Sequence, residues 1–243
     1  MKKFFIFLLI VFLAVCVVGC KGSVEKKVSK YKVGDIVLND GTYLRDVDSV
    51  SDADKEKAIA VIYKVSGSKA YGVGLVHNHS GVAWCLSSAN GYTMKFLDLL
   101  CKVSGNEGNY IFRGDVDGSD NFSKMKEFLG NNDDTGIMNN YPAFKFTEEY
   151  KKQKNAHVEE TVYATGWYLP TISELFDIWK VKSIIEEASI LCGGSQFLSE
   201  WYWSSSQTDS FDNGVYKINF TDGTVFPALK ENNKLSVCCI HLF

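Results

Sequence analysis

Gly166-Trp167-Tyr168-Leu169-Pro170-Thr171-Ile172-Ser173-Glu174-Leu175 is the stretch on which the reading of the fold turns. Thr171 followed three positions later by Glu174 is a capping box. The Thr hydroxyl takes an orphan N–H of the first turn, and the Glu carboxylate reaches back to the Thr backbone N–H. Pro170 stops the strand that precedes it, and Leu175, Ile178 and Trp179 line one face of the helix that follows. Beyond a Gly-rich turn at Gly193 and Gly194, Trp201 to Ser206 predicts an aromatic strand. Gly214 to Phe220 and Thr224 to Leu229 form a hairpin on Asp222-Gly223, and Leu235 to Phe243 forms a last strand.

Upstream the pattern is again one of short strands. Gly34 to Leu38 and Thr42 to Arg45 form a hairpin on Asn39-Asp40-Gly41, where Asp-Gly supplies the positive φ of a tight turn. Ser51 to Lys57 is a short polar helix with Ser51 as its cap. Strands are expected at Ala58–Val65, Ala70–His77 and Gly81–Leu86, with turns at Ser66–Ser68 and Asn78–Gly81. Met94, Leu97, Leu100 and Cys101 recur at helical spacing and predict an amphipathic helix over Tyr92–Val103. Ser104 to Asp120 reads as a polar loop. Phe122–Leu129 is a helix capped from Ser119–Asn121, Gly130–Asn140 is a second polar loop, and Pro142–Lys154 is a helix with proline in its first turn. Helices in the middle and strands at both ends predict an α+β domain whose termini meet in one sheet.

The 243 residues are 46% hydrophobic and 23% charged, a globular composition. With 26 Lys and Arg against 29 Asp and Glu there is no basic excess to meet phosphates, so nucleic acid is not an expected partner. Lys2 and Lys3 precede an apolar run from Phe4 to Val18, the length of a signal-peptide core and short of a membrane span. The run ends Val17-Val18-Gly19-Cys20, which resembles the lipobox of bacterial lipoproteins. That resemblance implies cleavage after Gly19 and lipid on Cys20. The expected division is a signal peptide at 1–19, a lipidated, lysine-bearing tether at 20–32, and one domain at 33–243. The expected location is the bacterial cell envelope, at the outer membrane or cell surface, held through the lipid. Beyond the signal lie Cys85, Cys101, Cys192, Cys238 and Cys239. Their number is odd and no pair has CxxC spacing, which argues against a zinc or thioredoxin-like motif.

Three elements in order, Gly166 to Leu175, Tyr202 to Ser206 and the Gly214 to Phe243 hairpin and strand, resemble the Lcl C-terminal-like domain. That domain is related in look to the Fibrobacter succinogenes major paralogous domains. Asp117 to Asn121 and Tyr141-Pro142-Ala143 match upstream features, and the resemblance spans about 32–243. It implies a C-type-lectin-like fold, with short antiparallel strands at both ends and helices between, in exported proteins of adhesive or unknown role. Its signature residues here are Trp167, Leu169, Pro170, Thr171, Glu174, Leu175, Tyr202, Trp203, Ser204 and Ser205. Physically they read as scaffold: apolar anchors, a strand stop, a helix cap and hydroxyls that tie backbone. The chain departs from the family pattern at Ser236 to His241, where family members carry a basic strand; this argues against a polyanion-binding role.

Candidate chemistry is sparse. His77 and His79 sit at i and i+2, able to share a strand face, but no third metal ligand accompanies them, and a polar strand end is the plainer reading. Asp115, Asp117 and Asp120 alternate around Gly118 in a way calcium favours, without EF-hand spacing; a polar turn into a helix cap is the plainer reading. No other cofactor is expected. Cys238, Cys239 and His241 invite a Cys–His nucleophile, as in a formylglycine-generating-type enzyme, but no motif supplies an oxyanion hole. Burial, or a disulfide to Cys192, is the expectation. Glu-Pro-Asn, Gln-Pro-Asp and Trp-Asn-Asp calcium-sugar motifs are not present in the sequence. The remaining candidates are loop residues near the final hairpin: Trp201, Gln207, Asp209, Asp212, Asn213, Lys230 and Asn232. The expected function is non-catalytic, adhesin-like binding of a glycan or surface protein. A formylglycine-generating-type enzyme and a structural envelope protein are the alternatives.

Overall fold

The capping box forms as its sequence requires. In the computed structural model, which describes residues 28–130, 138–198 and 200–243, Thr171 Oγ1 accepts from Glu174 N at 3.2 Å. Glu174 Oε2 accepts from Thr171 N at 2.8 Å. The expected signal peptide at 1–19 and the tether as far as residue 27 lie outside the described residues. The helix that the box starts, Ile172–Lys180, buries Leu175 and Ile178 against the strands below it.

Labelled in chain order, the strands are β1 (Ile36–Leu38), β2 (Tyr43–Leu44), β3 (Ala58–Ser66), β4 (Lys69–Gly74), β5 (Asn78–Val82), β6 (Cys101–Ser104), β7 (Ile111–Gly114), β8 (Trp201–Gln207), β9 (Gly214–Asn219), β10 (Val225–Leu229), β11 (Leu235–Val237) and β12 (Ile240–Leu242). The helices are α1 (Asp52–Lys55), α2 (Asn121–Leu129), α3 (Pro142–Glu148), α4 (Ile172–Lys180) and α5 (Lys182–Leu191). One five-stranded sheet has the order β12-β4-β3-β1-β2 and is antiparallel throughout. The strands at the two ends of the described domain therefore share a sheet, as the sequence pattern predicted. The second sheet has the order β10-β9-β8-β11-β5 and is mixed, because β11 runs parallel to β8. A ribbon of β6 and β7 stands apart from both.

β8 explains why its sequence reads Trp-Tyr-Trp rather than alternating apolar with polar. Successive side chains leave a strand on opposite faces. Trp203 enters a core built on Trp84, Phe96, Phe144, Tyr150 and Trp167, while Tyr202 enters a second built on Val61, Leu175, Ile178 and Phe220. Both faces of β8 are buried, so adjacent positions 202 and 203 both carry large aromatic rings, one for each core.

The expected α+β class and most of the elements hold, with four differences. The final strand is broken in two. β11 pairs in the second sheet and β12 in the first, so the chain changes sheets at Cys238-Cys239. Cys238 faces one core and Cys239 the other, and a thiol is small enough to sit where the sheets converge. The amphipathic helix at 92–103 does not form. A 3-10 turn at Leu97–Leu99 leads into β6, which pairs with β7 inside the supposed loop 104–120. The apolar period there is accidental, since Leu97 is 69% exposed. The strand expected at 81–86 lies earlier, at β5, where the expected turn Asn78–Gly81 pairs instead with β11. The helix from Pro142 stops at Glu148 and continues as a 3-10 turn, Tyr150–Lys152.

Candidate functional site

The signature residues converge on one buried polar seam. Glu174 accepts from Thr171 N, Thr171 Oγ1, Gly118 N and Tyr168 Oη at 2.8, 3.0, 3.2 and 3.1 Å. Burial pushes its carboxyl up to about 7, against the pull of the Thr171 and Gly118 donors. Ser206 Oγ accepts from Ile172 N at 3.0 Å, Ser204 Oγ donates to Tyr216 O at 2.7 Å, and Ser205 N donates to Pro170 O at 2.8 Å. Asn121 Nδ2 donates to Ser205 Oγ at 2.9 Å and to Asp115 Oδ2 at 2.6 Å. The motif at 166–175, the serines of β8 and the aspartate loop are thus one hydrogen-bonded joint between helix and sheet. Trp167 and Trp203 anchor it on the apolar side, each donating its indole N–H to a carbonyl: Tyr163 O at 2.7 Å and Val82 O at 2.8 Å.

The candidates near the final hairpin divide in two. Gln207 and Lys230 are fully buried, which removes them from any ligand surface. Gln207 accepts from Phe96 N at 2.6 Å and donates to Met94 O and Asp212 O. Lys230 Nζ donates to Gly91 O at 2.8 Å and Met94 O at 2.7 Å, with the rings of Trp84 and Phe96 at 5.2 and 5.1 Å. Burial lowers its ammonium to about 8. These two side chains clamp the loop 91–96 onto the end of the second sheet. Above the clamp, Asp209, Asp212, Asn213 and Asn232 remain at or near the surface. Lys95 pairs with Asp212 at 3.0 Å, Lys102 with Asp209 at 3.7 Å, and Asn213 Nδ2 reaches Tyr92 Oη at 3.3 Å. The result is a mosaic of charge, amide and phenol on a rigid base, the arrangement by which loops present groups to a partner. Trp201 belongs to the opposite end of β8, half-buried, with Lys217 Nζ 3.9 Å from its ring centroid.

Changing Lys230 to methionine keeps the packing of the stem and removes the donor to two carbonyls. Amide exchange over residues 91–96 is expected to accelerate about tenfold, the worth of one net hydrogen bond. Unchanged exchange would show that the loop is held by its apolar contacts alone.

Tyr92 and Lys95 escaped the sequence reading because they sat inside the supposed helix. The signal against that helix was Ala89-Asn90-Gly91, a turn sequence. A side chain at Gly91 would collide with Tyr141 Oη and the Phe96 ring.

The other candidates do not assemble into chemistry. Asp117 and Asp120 are engaged with Ser119 N and Lys124, and burial raises Asp115 to about 6. Among the described residues no three His, Cys, Asp or Glu side chains converge as a metal ion requires. His77 and His79 do lie together, ring centroids 5.6 Å apart, in an aromatic cluster with Phe197 and Tyr202. Burial lowers His77 to about 3. All five described cysteines are buried and free, so the expected disulfide to Cys192 is not formed. Burial raises every one of these thiols, Cys192 to about 11, the opposite of what a thiolate nucleophile needs. His241 does not serve Cys239: its Nε2 donates to Thr165 O at 3.1 Å, and its ring packs on Trp167 at 5.0 Å.

Fold and site together define a class: an α+β domain of two sheets locked by a buried polar joint, carrying stapled loops at one end of the second sheet. Among solved structures, a fimbrial protein from Bacteroides ovatus is similar, with a TM-score of 0.59 and 14% identity over 87% of this chain. The likeness covers 48% of that protein's chain, so this chain spans about half its length. No protein-family model and no curated protein sequence matches the chain. No helix among the described residues is long and apolar enough to cross a membrane.

Proposed function

We propose that the chain is an exported lipoprotein, anchored through lipid on Cys20. Its 33–243 domain is C-type-lectin-like in fold and acts as a non-catalytic, adhesin-like module for a glycan or surface protein. The observation that carries the reading is the loop face around Asp209, Asp212, Asn213 and Tyr92, fixed from beneath by Gln207 and Lys230. Preorganised polar and aromatic loops bind without a large ordering cost. The similarity to a fimbrial protein is in keeping with a surface role, and the looped domain with both ends in one sheet suits the lectin-like assignment.

The test is binding of the purified full-length lipoprotein, in detergent, to glycan and matrix-protein arrays, with and without a chelator. Binding should survive the chelator. The double change Asp212→Ala, Asn213→Ala should weaken it at least tenfold, since both side chains are surface groups and the backbone contact of Asp212 O is kept. Chelator-sensitive binding would instead return the aspartate loop as a calcium site. Silence in both buffers would sink the adhesin reading and favour a partner protein within the envelope.

A further inference from the structure

A second concave site shares no residue with the loop face. A cavity of about 340 Å³ opens between the end of α1, the segment 154–157 and the turn after α5. That is at the small end of the roughly 300–1,000 Å³ range of small-molecule sites, and fits a single sugar residue better than a peptide. Leu75, Val76 and Cys192 contribute apolar groups to its lining. Its rim carries Lys55, Lys154, Asn155 and His157 against one acid, Glu56. Lys55 already has a partner in Asp52 at 2.9 Å, whereas Lys154 makes no ion pair among the described residues and is exposed.

The backbone of this rim is strained. Asn155 and His157 adopt φ of 67° and 56°, and Glu160 in the same loop 62°, a left-handed conformation that residues other than glycine adopt at a cost. Three of the four non-glycine residues with positive φ among those described fall within six positions. The strain is held from outside the loop. Asn39 Nδ2 donates to His157 O at 3.2 Å, and His157 Nδ1 is hydrogen-bonded to the carbonyl of Glu56. A carbonyl only accepts, so Nδ1 bears the proton and Nε2 is left as the ring's remaining polar atom. Two long-range hydrogen bonds thus fix His157, with Lys154 and Asn155 beside it on the rim of the same small cavity.

We propose that this cavity binds an acidic sugar residue, its carboxylate at the Lys154 ammonium and its hydroxyls at Asn155 and His157. The proposal goes beyond the loop-face reading and assigns a second, separate ligand site. A carboxylate is the complement of an unpaired ammonium, and amide and imidazole groups suit hydroxyls.

The probes are D-glucuronate and D-glucose, titrated into the full-length chain in detergent. Glucuronate should bind at least fivefold more tightly than glucose, and less tightly as salt rises. Lys154→Ala, an exposed position whose loss leaves the fold intact, should remove that preference. Asn155→Gly, which relieves the left-handed strain, should raise the melting temperature while weakening both sugars. Equal binding of the two sugars, no binding of either, or a preference that survives Lys154→Ala would each overturn the proposal. If array binding is lost in the Asp212→Ala, Asn213→Ala chain while its glucuronate preference is kept, the two sites are independent, as proposed.

Discussion

Replacing Trp203 with alanine is expected to remove about 4 kcal/mol of stability, within the range for emptying a tryptophan site in a core. The side chain is fully buried, faces the larger aromatic cluster, and donates its indole N–H to Val82 O at 2.8 Å, which ties β8 to the edge strand β5 across β11. For a domain of this size the melting temperature should fall by about 10 °C. Trp203→Phe keeps most of the packing and loses the hydrogen bond, and should cost about 1–2 kcal/mol. Trp201→Ala, two residues earlier on the same face but half-buried under Lys217, should cost about 1 kcal/mol. Denaturant melts of the three variants decide the matter. Equal losses at 201 and 203 would contradict the assignment of β8 as the strand whose inner end anchors the core.

Glu174→Gln should change the shape of the pH–stability curve more than its height. Glu174 is pushed up to about 7 by burial, above its unfolded value near 4.5. The folded state therefore holds the proton more tightly. The stability this contributes is whole below pH 4.5 and is lost as pH rises through 7, an effect of about 3 kcal/mol. Asp115, raised to about 6, adds a smaller slope of the same sign. His77 works in the other direction. Burial and the neighbouring His79 hold it near 3, below its unfolded value of 6.5, so its contribution is whole above pH 6.5 and is lost as pH falls. Between pH 4.5 and 6.5 the two slopes oppose each other and the wild-type curve should be shallow. In Glu174→Gln the His77 slope is left largely uncovered, and stability should climb with pH up to about 6.5. Denaturant midpoints at four pH values across this range would show it. A variant curve parallel to the wild type would mean that the four donors keep Glu174 ionised in the folded state throughout.

Much of this fold follows from local chemistry. The capping box at Thr171 and Glu174, the Asn39-Asp40-Gly41 hairpin, Ser51 as a cap and the Asp222-Gly223 hairpin each depend on groups within a few residues of one another. The scaffold role of the signature residues was legible for the same reason, since a cap and a buried tryptophan announce themselves by type. What misled was periodicity without a partner. Met94, Leu97, Leu100 and Cys101 have a helical period, yet Gln207 and Lys230, more than a hundred residues away, bond this stretch in an extended path. Those two residues were themselves misplaced, because an amide and an ammonium in a polar stretch look exposed until the fold buries them.

The sequence by itself determined the α+β class, the capped start of the helix at Thr171, the turns at Asp40-Gly41 and Asp222-Gly223, and an aromatic strand at β8. Each is a matter of short-range hydrogen bonding or of hydrophobic period, which a linear chain carries in itself. Only the tertiary structure decided that the last strand divides between two sheets at Cys238-Cys239. It also decided that Gln207 and Lys230 are clamps, and that Asn155 and His157 are bent to the rim of a cavity. Each of these depends on a partner supplied from a distant part of the chain, and no local pattern encodes which partner that will be.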